Sequence, residues 1–186
     1  VCHIEYAYQE GEGGIADALK LCEDFVGDDS VTVILGDNCT DADIKEEVSQ
    51  FKDGAMIFLK EVPDPQRFGV PVFDDPKNPK KIQRIEEKPN NPANNYAVTG
   101  LYIYDNKVFI YIRKNKPSAR GELEITDVNN RYVEAKTMNW SMLNGFWSDA
   151  GTFESLYRTN VFWTRKKLGK EQEKEITNFK EAKTNG

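Results

Sequence analysis

The chain has 186 residues, of which 39% are hydrophobic and 30% charged, with a formal net charge of −6. This suits one domain with an apolar core; it argues against the basic surface of a nucleic-acid binder and against a membrane-spanning segment. The first residues lack the order of a signal peptide, so we expect a cytoplasmic protein without nucleic-acid or membrane partners.

The first third of the chain alternates predicted helices and strands. Apolar residues at helical spacing predict an amphipathic helix over residues 15–26. A β-branched run at 31–35 and an apolar run at 55–59 predict strands buried on both faces, as in a parallel sheet. A short helix is expected at 44–51, and strand-like residues 3–8 precede the first helix. This order indicates an α/β fold.

Residues 63–92 differ because prolines are frequent, and two strand-like pieces, 70–73 and 81–85, predict a hairpin inserted over one end of the sheet. Further elements are expected in this order: a strand at 96–104, helices at about 106–113 and 122–135, a strand at 138–142 and a helix at 153–168. We therefore predict a Rossmann-like, mostly parallel sheet in one domain over residues 1–168, followed by a charged tail over 169–186.

Two aspartates follow strand-like segments. Asp37 directly follows the first predicted buried strand, and ligands of open α/β sheets gather at the carboxyl ends of strands. Asp149 lies between a strand-like segment and a helix start. Two such carboxylates could share one Mg²⁺ together with substrate phosphates. Taken alone, each aspartate is more simply explained as a helix cap or turn residue, and that alternative stays open.

Two other segments carry charges that suit a sugar phosphate. Glu87 and Lys88 end the predicted hairpin; a glutamate accepts hydrogen bonds from sugar hydroxyls, and a lysine attracts phosphate. Arg120 precedes a helix start, where backbone N–H groups also favour anions. The alternatives are a surface ion pair between Glu87 and Lys88 and a pairing of Arg120 with Glu122 or Glu124.

Six short segments occur in a specific order along the chain. They are LGDN (35–38), DPQRFGV (64–70), EEKP (86–89), NYAVTGLYIYD (95–105), SARGELEITD (118–127) and WSDAGT (147–152). Together they resemble the sugar-1-phosphate nucleotidyltransferases, most closely the glucose-1-phosphate thymidylyltransferases. Each motif is modest, but their order is specific, and the resemblance runs from about Ile4 to Leu168.

The resemblance implies an activity and roles for the charged residues. Asp37 and Asp149 would bind the catalytic Mg²⁺, Lys88 and Arg120 would bind the sugar phosphate, and Glu87 would hold sugar hydroxyls. A sugar-1-phosphate oxygen would attack the α-phosphorus of a pyrimidine nucleoside triphosphate and release pyrophosphate. Glucose 1-phosphate and dTTP are the expected substrates, and catalysis would consist of positioning and charge neutralisation.

The resemblance also implies contacts to the sugar and the base. Val98 and Gly100 would line the sugar pocket. Gln9 and Gly14 match positions that read the pyrimidine, since a glutamine amide can satisfy both a ring N–H and a carbonyl. Phe68 stands where the family usually has tyrosine, so a stacking surface is kept and a hydroxyl is lost. Contacts to a pyrimidine leave dTTP and UTP as alternatives.

One family feature has no counterpart in this sequence: a glycine-rich loop resembling GGxGTRLxPxT, which cradles the triphosphate. The glycines at 11–14 lack its basic residues. Because losing one such donor costs about 10²–10³ in rate, we expect little or no activity from this polypeptide alone. We expect a truncated product whose sheet is completed by another copy, as a homo-oligomer, or by a complementing N-terminal segment. A monomer with full turnover would contradict this expectation.

Two other functions compete with nucleotidyl transfer. One is a non-catalytic sugar-phosphate-binding or assembly protein derived from the same family. The other is a glycosyltransferase of related architecture, in which Asp41 and Asp43 would form a metal-binding DxD motif. A helix cap also explains those two aspartates, and the glycosyltransferase would leave the motifs around Glu87 and Arg120 unexplained.

Overall fold

The computed structural model describes the backbone of residues 2–184 and the side chains of residues 2–168. It divides into two compact units. Unit 1 comprises Val1–Leu35 and Asp43–Asn144, and unit 2 comprises Gly36–Ala42 and Gly145–Gly186. Among the described residues, each helix is too short or too polar to cross a lipid bilayer.

The elements are numbered in chain order. The strands are β1 (Val31–Ile34), β2 (Asn38–Thr40), β3 (Ala55–Glu61), β4 (Gly69–Phe73), β5 (Ile82–Glu87), β6 (Tyr96–Tyr104), β7 (Met138–Met142) and β8 (Trp147–Asp149). The helices are α1 (Ile15–Lys20), α2 (Glu23–Val26), α3 (Lys45–Gln50), α4 (Lys107–Lys114), α5 (Ile125–Glu134) and α6 (Phe153–Thr184), with a 3₁₀ turn at Pro65–Arg67. β2, β8 and α6 belong to unit 2, and the other elements belong to unit 1.

Unit 1 is built on a mixed sheet in the order β5-β4-β6-β3-β7, with β1 also paired to β6. β3 and β7 pair in parallel, whereas the other pairings are antiparallel. It follows that β1, β3, β4 and β7 point one way and that β5 and β6 point the other way. The predicted α/β class is confirmed. Of the four antiparallel pairings among the described strands of this sheet, three involve β6, which runs opposite to β1, β3 and β4, and the fourth is the β4–β5 hairpin.

The predicted hairpin forms from β4 and β5, but it does not lie over one end of the sheet. β4 pairs with β6 through Gly69 and Val98, so the hairpin extends the sheet sideways. β1 pairs with residues 101–104 of β6. The hairpin therefore occupies the part of that β6 edge that β1 leaves open.

Two predictions about the start of the chain are wrong. The strand expected at residues 3–8 does not form, and Tyr6 is 93% exposed. The strand at 31–35 was expected to be buried on both faces, yet Ile34 in β1 is 58% exposed. Both errors have the same cause: a strand is buried and paired only where other strands or helices lie beside it. Within the described strands β1 pairs only with β6, and residues 3–8 pair with none.

The predicted helix at 15–26 is interrupted. Leu21 N–H and Cys22 N–H bond to the carbonyls three residues earlier, at Ala18 and Leu19. These tight bonds end α1, and α2 begins at Glu23. Leu19 of the predicted apolar stripe is buried, but helical spacing alone does not reveal a tightened turn.

Buried hydroxyl groups tie β6 to α5 in the core of unit 1. The Tyr104 hydroxyl donates to Asn129 Oδ1 at 2.7 Å, and the Tyr132 hydroxyl donates to Asp105 Oδ1 at 2.8 Å. Asp105 Oδ2 also accepts from the backbone N–H of Gly54 at 3.0 Å. Burial raises the pKa of both tyrosines. These buried hydrogen bonds help to fix the position of α5, whose first turn carries a side chain of the candidate site.

Gly54 offers a test of this core. Its φ is +79°, and an added Cβ would lie 2.2 Å from the carbonyl oxygen of Thr137. Gly54→Ala is expected to lower the free energy of unfolding by about 3 kcal/mol or more, measured by urea unfolding. Gly27→Ala is the control, because Gly27 has a φ of +57° and no atom near its Cβ position. The control should cost about 1–2 kcal/mol, and an equal cost would contradict the predicted clash.

Unit 2 consists of a short ribbon and a long helix. β2 and β8 pair antiparallel, with Asn38 opposite Asp149 and Thr40 opposite Trp147. Helix α6 begins at Phe153, as predicted, and its backbone continues to Thr184. The predicted charged tail at 169–186 falls on side chains outside the described residues. The predicted domain boundary at residue 168 therefore stays a prediction.

Candidate functional site

The predicted site residues fall into two groups. The two aspartates lie in unit 2, and the sugar, phosphate and base residues lie in unit 1. The β2–β8 ribbon brings Asp37 and Asp149 together. A Cβ added at Gly151 would lie 3.3 Å from Asp37 Oδ2 and 3.8 Å from Asp149 Oδ2. Both carboxylates therefore face the same small space beside a residue that lacks a side chain.

Neighbouring groups orient the first of these carboxylates. The Asn38 amide donates to Asp37 Oδ1 at 2.8 Å, and its own Oδ1 accepts from Trp147 Nε1 at 2.7 Å. The backbone N–H of Ala150 donates to the Asp37 carbonyl at 2.6 Å. With Oδ1 engaged, Asp37 presents Oδ2 towards Gly151. This role of Asn38 was not predicted, although the residue directly follows the aspartate in the sequence.

The chemistry of this pair fits a hard divalent cation. Carboxylate oxygens are the ligands that Mg²⁺ prefers, and Mg²⁺ is usually held by one or two carboxylates plus phosphate oxygens. Throughout the described residues, no group of three or more His, Cys, Asp or Glu side chains could hold a metal ion. A cation at Asp37 and Asp149 would thus need further oxygens from a ligand or water, as Mg²⁺ in phosphate-transferring sites does.

In unit 1, strand pairing places Glu87, Gly69 and Val98 side by side, in one row across three adjacent strands. Glu87 in β5 lies opposite Gly69 in β4, and Gly69 lies opposite Val98 in β6. Gly100 lies two residues further along β6 and so shares the face of Val98. The structure therefore brings Glu87, Val98 and Gly100 to neighbouring positions on one sheet.

Glu87 is held by a residue that the sequence analysis did not single out. The hydroxyl of Thr126, in the first turn of α5, donates to Glu87 Oε2 at 2.6 Å. A Cβ added at Gly69 would lie 3.4 Å from Thr126 Oγ1 and 3.6 Å from Glu87 Oε2, so the glycine leaves room for this pair. Thr126 is buried, whereas Glu87 is exposed. This arrangement fixes one carboxylate oxygen and presents the other to solvent and ligands.

Lys88 has an unusual backbone conformation. Its φ is +44°, a left-handed conformation that costs a non-glycine residue about 1–3 kcal/mol. Its N–H donates to the carbonyl of Phe68 at 3.0 Å, and its Nζ lies 3.9 Å from Glu87 Oε1. Such strain at a charged residue is often found at ligand sites, and here it fixes the direction in which Lys88 leaves the strand.

Arg120 is paired as the alternative interpretation predicted. Its guanidinium donates to Glu124 Oε1 at 2.8 Å and to Oε2 at 3.0 Å, and it lies 3.6 Å from Glu122 Oε2. The hydrogen bond with Glu124 is the main cause that raises the pKa of Arg120, and the charge of Glu87 contributes as well. Because the charge of Glu87 acts on Arg120, we group Glu87, Lys88 and Arg120 as one charged cluster, in which a phosphate would compete with Glu124 for the guanidinium.

The two predicted base-reading residues contact each other. Gln9 Nε2 donates to the carbonyl of Gly14 at 3.1 Å and to Asp17 Oδ2 at 2.9 Å. Gly14 has a φ of +89°, and an added Cβ would lie 2.8 Å from the carbonyl of Leu123, so glycine is required. Both donors of the amide are engaged, and only its Oε1 is left to face a base. Gln9 can therefore bind both a ring N–H and a carbonyl of a pyrimidine, as predicted, only if a bond to the base replaces one of these two hydrogen bonds.

Phe68 follows the 3₁₀ turn and is half-buried. The guanidinium carbon of Arg67 lies 5.1 Å from the centre of its ring, and Arg67 is also paired with Asp64 at 2.9 Å. One face of the ring is thus covered by a cation. The stacking surface that was predicted for Phe68 is shared with this arginine.

The DxD motif of the glycosyltransferase alternative has other roles. Asp43 Oδ1 accepts from the backbone N–H of Lys45, the first residue of α3, at 3.0 Å, although the N-cap position itself is Ile44 and not the expected aspartate. Asp41 accepts from the Phe146 N–H at 2.6 Å and from Lys166 Nζ at 2.7 Å. Each aspartate is engaged in local structure, so this motif gives no support for a metal-dependent glycosyltransferase.

Thr126 provides a test of the sugar-binding cluster. Thr126→Val keeps the shape of the side chain but removes the donor to Glu87. Because a hydrogen bond to a charged group is worth about 1.5–3 kcal/mol, we expect at least about tenfold weaker binding of glucose 1-phosphate in calorimetry. Thr126→Ser should retain most of the affinity. Equal affinity of Thr126→Val and the wild type would show that the hydroxyl does not position Glu87 for a ligand.

Comparison with known proteins identifies similar sequences and folds. A family model described as nucleotidyl transferase matches residues 1–166. A glucose-1-phosphate thymidylyltransferase of Neisseria meningitidis is 42% identical over 166 residues, which cover 86% of this chain and 56% of the relative. One from Xanthomonas campestris is 41% identical over 86% of this chain and 55% of its own. The chain thus spans about half the length of these curated relatives.

Two solved structures have a similar fold. A protein assigned as a glucose-1-phosphate thymidylyltransferase from Bacillus anthracis is 52% identical, with a TM-score of 0.77, and the match covers 85% of this chain and 64% of that one. A UDP-glucose pyrophosphorylase complexed with UDP-glucose has a TM-score of 0.78 at 23% identity, over 88% of this chain and 67% of that one. At that identity the second likeness supports the fold alone.

Proposed function

This chain belongs to the nucleotidyl transferase family, and from that premise we propose that it binds a sugar 1-phosphate for transfer of a nucleotidyl group from a pyrimidine nucleoside triphosphate. The names of its relatives make glucose 1-phosphate and dTTP the first pair to test, with UTP as the second triphosphate. The observation that carries the proposal is the cluster of Glu87, Lys88 and Arg120 beside the row formed with Val98.

Each member of this cluster has a role that suits its chemistry. Glu87, with one oxygen fixed by Thr126, accepts hydrogen bonds from sugar hydroxyls through the other. Lys88 supplies a point charge, and the planar guanidinium of Arg120 binds two phosphate oxygens. The pair of Arg120 with Glu124 is half-exposed on the arginine side, so a phosphate dianion can replace the glutamate. The sugar phosphate oxygen is already anionic, and its attack requires no general base.

Asp37 and Asp149 are the residues that would hold Mg²⁺. When bound, the cation supplies charge neutralisation at the triphosphate. The Asn38 amide keeps the Asp37 carboxylate oriented, which lowers the reorganisation needed when the cation arrives. Gln9 presents its Oε1 to a ring N–H of the base, and the Gly14 carbonyl holds the Gln9 amide in place.

A partner strand is part of the proposal. β1 pairs with β6 on one edge, and its other edge is unpaired among the described strands. The exposure of Ile34 supports the prediction that another strand, from a second copy or a complementing segment, covers this edge. Analytical ultracentrifugation tests the homo-oligomer directly. If the protein is a monomer over a broad concentration range, the complementing segment is the remaining source of the partner strand.

Calorimetry with two ligands tests the proposal against its alternative. Nucleotidyl transfer predicts binding of glucose 1-phosphate and Mg²⁺-dependent binding of dTTP. Binding of the sugar phosphate without any binding of the triphosphate would favour the non-catalytic sugar-phosphate-binding protein. The absence of sugar-phosphate binding in the wild type would refute both.

A further inference from the structure

Asp41 makes two short polar contacts within unit 2. It follows β2 directly, and its side chain is 18% exposed. Oδ1 accepts from the backbone N–H of Phe146 at 2.6 Å, and Oδ2 accepts from Lys166 Nζ at 2.7 Å. One carboxylate therefore connects the end of β2, the residue before β8 and a turn of α6.

The backbone around Phe146 is shaped for this contact. Gly145 has a φ of +81°, and an added Cβ would lie 2.4 Å from Asp41 Oδ1, so no side chain fits there. The Phe146 carbonyl accepts from the Thr40 hydroxyl at 2.7 Å and from the Asp41 N–H at 3.4 Å. Both backbone polar groups of Phe146 are thus bound by Thr40, the last residue of β2, and by Asp41, which follows it.

Aromatic packing continues the connection into α6. The rings of Phe146 and Phe162 stack with centroids 4.0 Å apart and planes at 8°. Lys166 Nζ lies 5.7 Å from the centre of the Phe162 ring and 5.3 Å from that of Trp163. The hydrogen bond with Lys166, followed by that with Phe146, keeps the pKa of Asp41 below its ordinary value. Asp41 therefore remains a carboxylate at neutral pH.

We propose that Asp41 and Lys166 position the carboxylate pair of Asp37 and Asp149 for its cation; this rests on the metal site of the proposed function. The β2–β8 ribbon has only the register pairs 38–149, 39–148 and 40–147, and so short a ladder frays readily by itself. Asp149 lies at one end of the ribbon, and the Asp41 contacts close the other end. A slip of one residue would turn the Asp149 side chain to the opposite face.

Binding of Mn²⁺, followed by electron paramagnetic resonance of the free ion, tests this positioning role. Asp41→Ala is expected to weaken Mn²⁺ binding by at least about tenfold, the loss typical of residues that orient metal ligands. Lys166→Met should weaken it less, because the Asp41–Phe146 bond remains. Asp43→Ala is the matched control, since it is the same substitution two residues away at the start of α3, and it should leave the affinity unchanged.

Hydrogen exchange provides a readout that does not depend on the metal. In Asp41→Ala the amide hydrogen of Phe146 and those of β8 should exchange faster, whereas those of unit 1 should not. If Asp41→Ala misfolds, Lys166→Met carries the same test with smaller shifts. Unchanged Mn²⁺ affinity in Asp41→Ala, or equal losses in Asp41→Ala and Asp43→Ala, would overturn the proposal. Absent Mn²⁺ binding in the wild type would refute the metal site itself, and unchanged exchange would then overturn the positioning role separately.

Discussion

Replacing Asp37 with asparagine is expected to weaken divalent-cation binding by roughly 100-fold or more. The change removes the charge of one of two carboxylates that face the space beside Gly151, so the loss should exceed the ~10–100-fold effect of altering an orienting neighbour. Asp149→Asn should have a comparable effect, because one oxygen of each carboxylate lies close to the same position beside Gly151. Mn²⁺ titration monitored by electron paramagnetic resonance measures both variants.

The control for this prediction is Asp74→Asn. Asp74 is an exposed aspartate of the β4–β5 turn that accepts from the backbone N–H groups of Lys80 and Lys81, outside the proposed metal site. Its replacement should leave Mn²⁺ affinity unchanged. If Asp37→Asn bound Mn²⁺ as tightly as the wild type, the two aspartates would be the cap and turn residues of the alternative interpretation.

Replacing Arg120 with alanine is expected to weaken binding of glucose 1-phosphate by about 10–100-fold. The change removes charge-assisted hydrogen bonds to the phosphate, each worth about 1.5–3 kcal/mol, and leaves Glu124 facing the ligand without its counter-ion. Arg120→Lys should recover only part of the affinity, since an ammonium group cannot form the two parallel bonds of a guanidinium. Isothermal titration calorimetry measures the series.

Arg113→Ala is the matched control. Arg113 is also half-exposed and also pairs with a glutamate, Glu23, but it lies on α4 outside the charged cluster. It should bind glucose 1-phosphate as the wild type does. The double variant Arg120→Ala with Glu124→Gln separates loss of attraction from new repulsion, and it should bind more tightly than Arg120→Ala. Equal losses of affinity in Arg113→Ala and Arg120→Ala would show that the effect comes from the overall charge of the protein and not from a contact between Arg120 and the phosphate.

Much of the fold was predictable because hydrophobic periodicity is local. The strands at 55–59, 96–104 and 138–142, and the helix that begins at Phe153, were found from a few neighbouring residues each. The wrong predictions concern neighbours that a local pattern does not contain. Ile34 has the composition of a buried strand, but its exposure depends on whether another strand pairs with β1.

The candidate site was predictable as a set of residues but not as an arrangement. The Gly-Asp ending of a buried strand indicated Asp37, yet its approach to Asp149 depends on a three-residue ribbon that joins distant parts of the chain. The same holds for Thr126, which meets Glu87 through packing of α5 against β5. The pairing of Arg120 was foreseen because Glu124 lies only four residues away in the sequence. The contacts that were not predicted are those between elements far apart in the sequence.

The most direct test of the proposed function is a ³¹P NMR assay with the protein, glucose 1-phosphate, dTTP and Mg²⁺, under conditions in which calorimetry shows both ligands bound. We predict slow, Mg²⁺-dependent formation of pyrophosphate and of a sugar linked to the nucleotide by a diphosphate. Formation should stop in the double variant Asp37→Asn with Asp149→Asn. Bound ligands without product would point to the missing triphosphate loop, whereas product that forms equally fast in the double variant would contradict the proposed function.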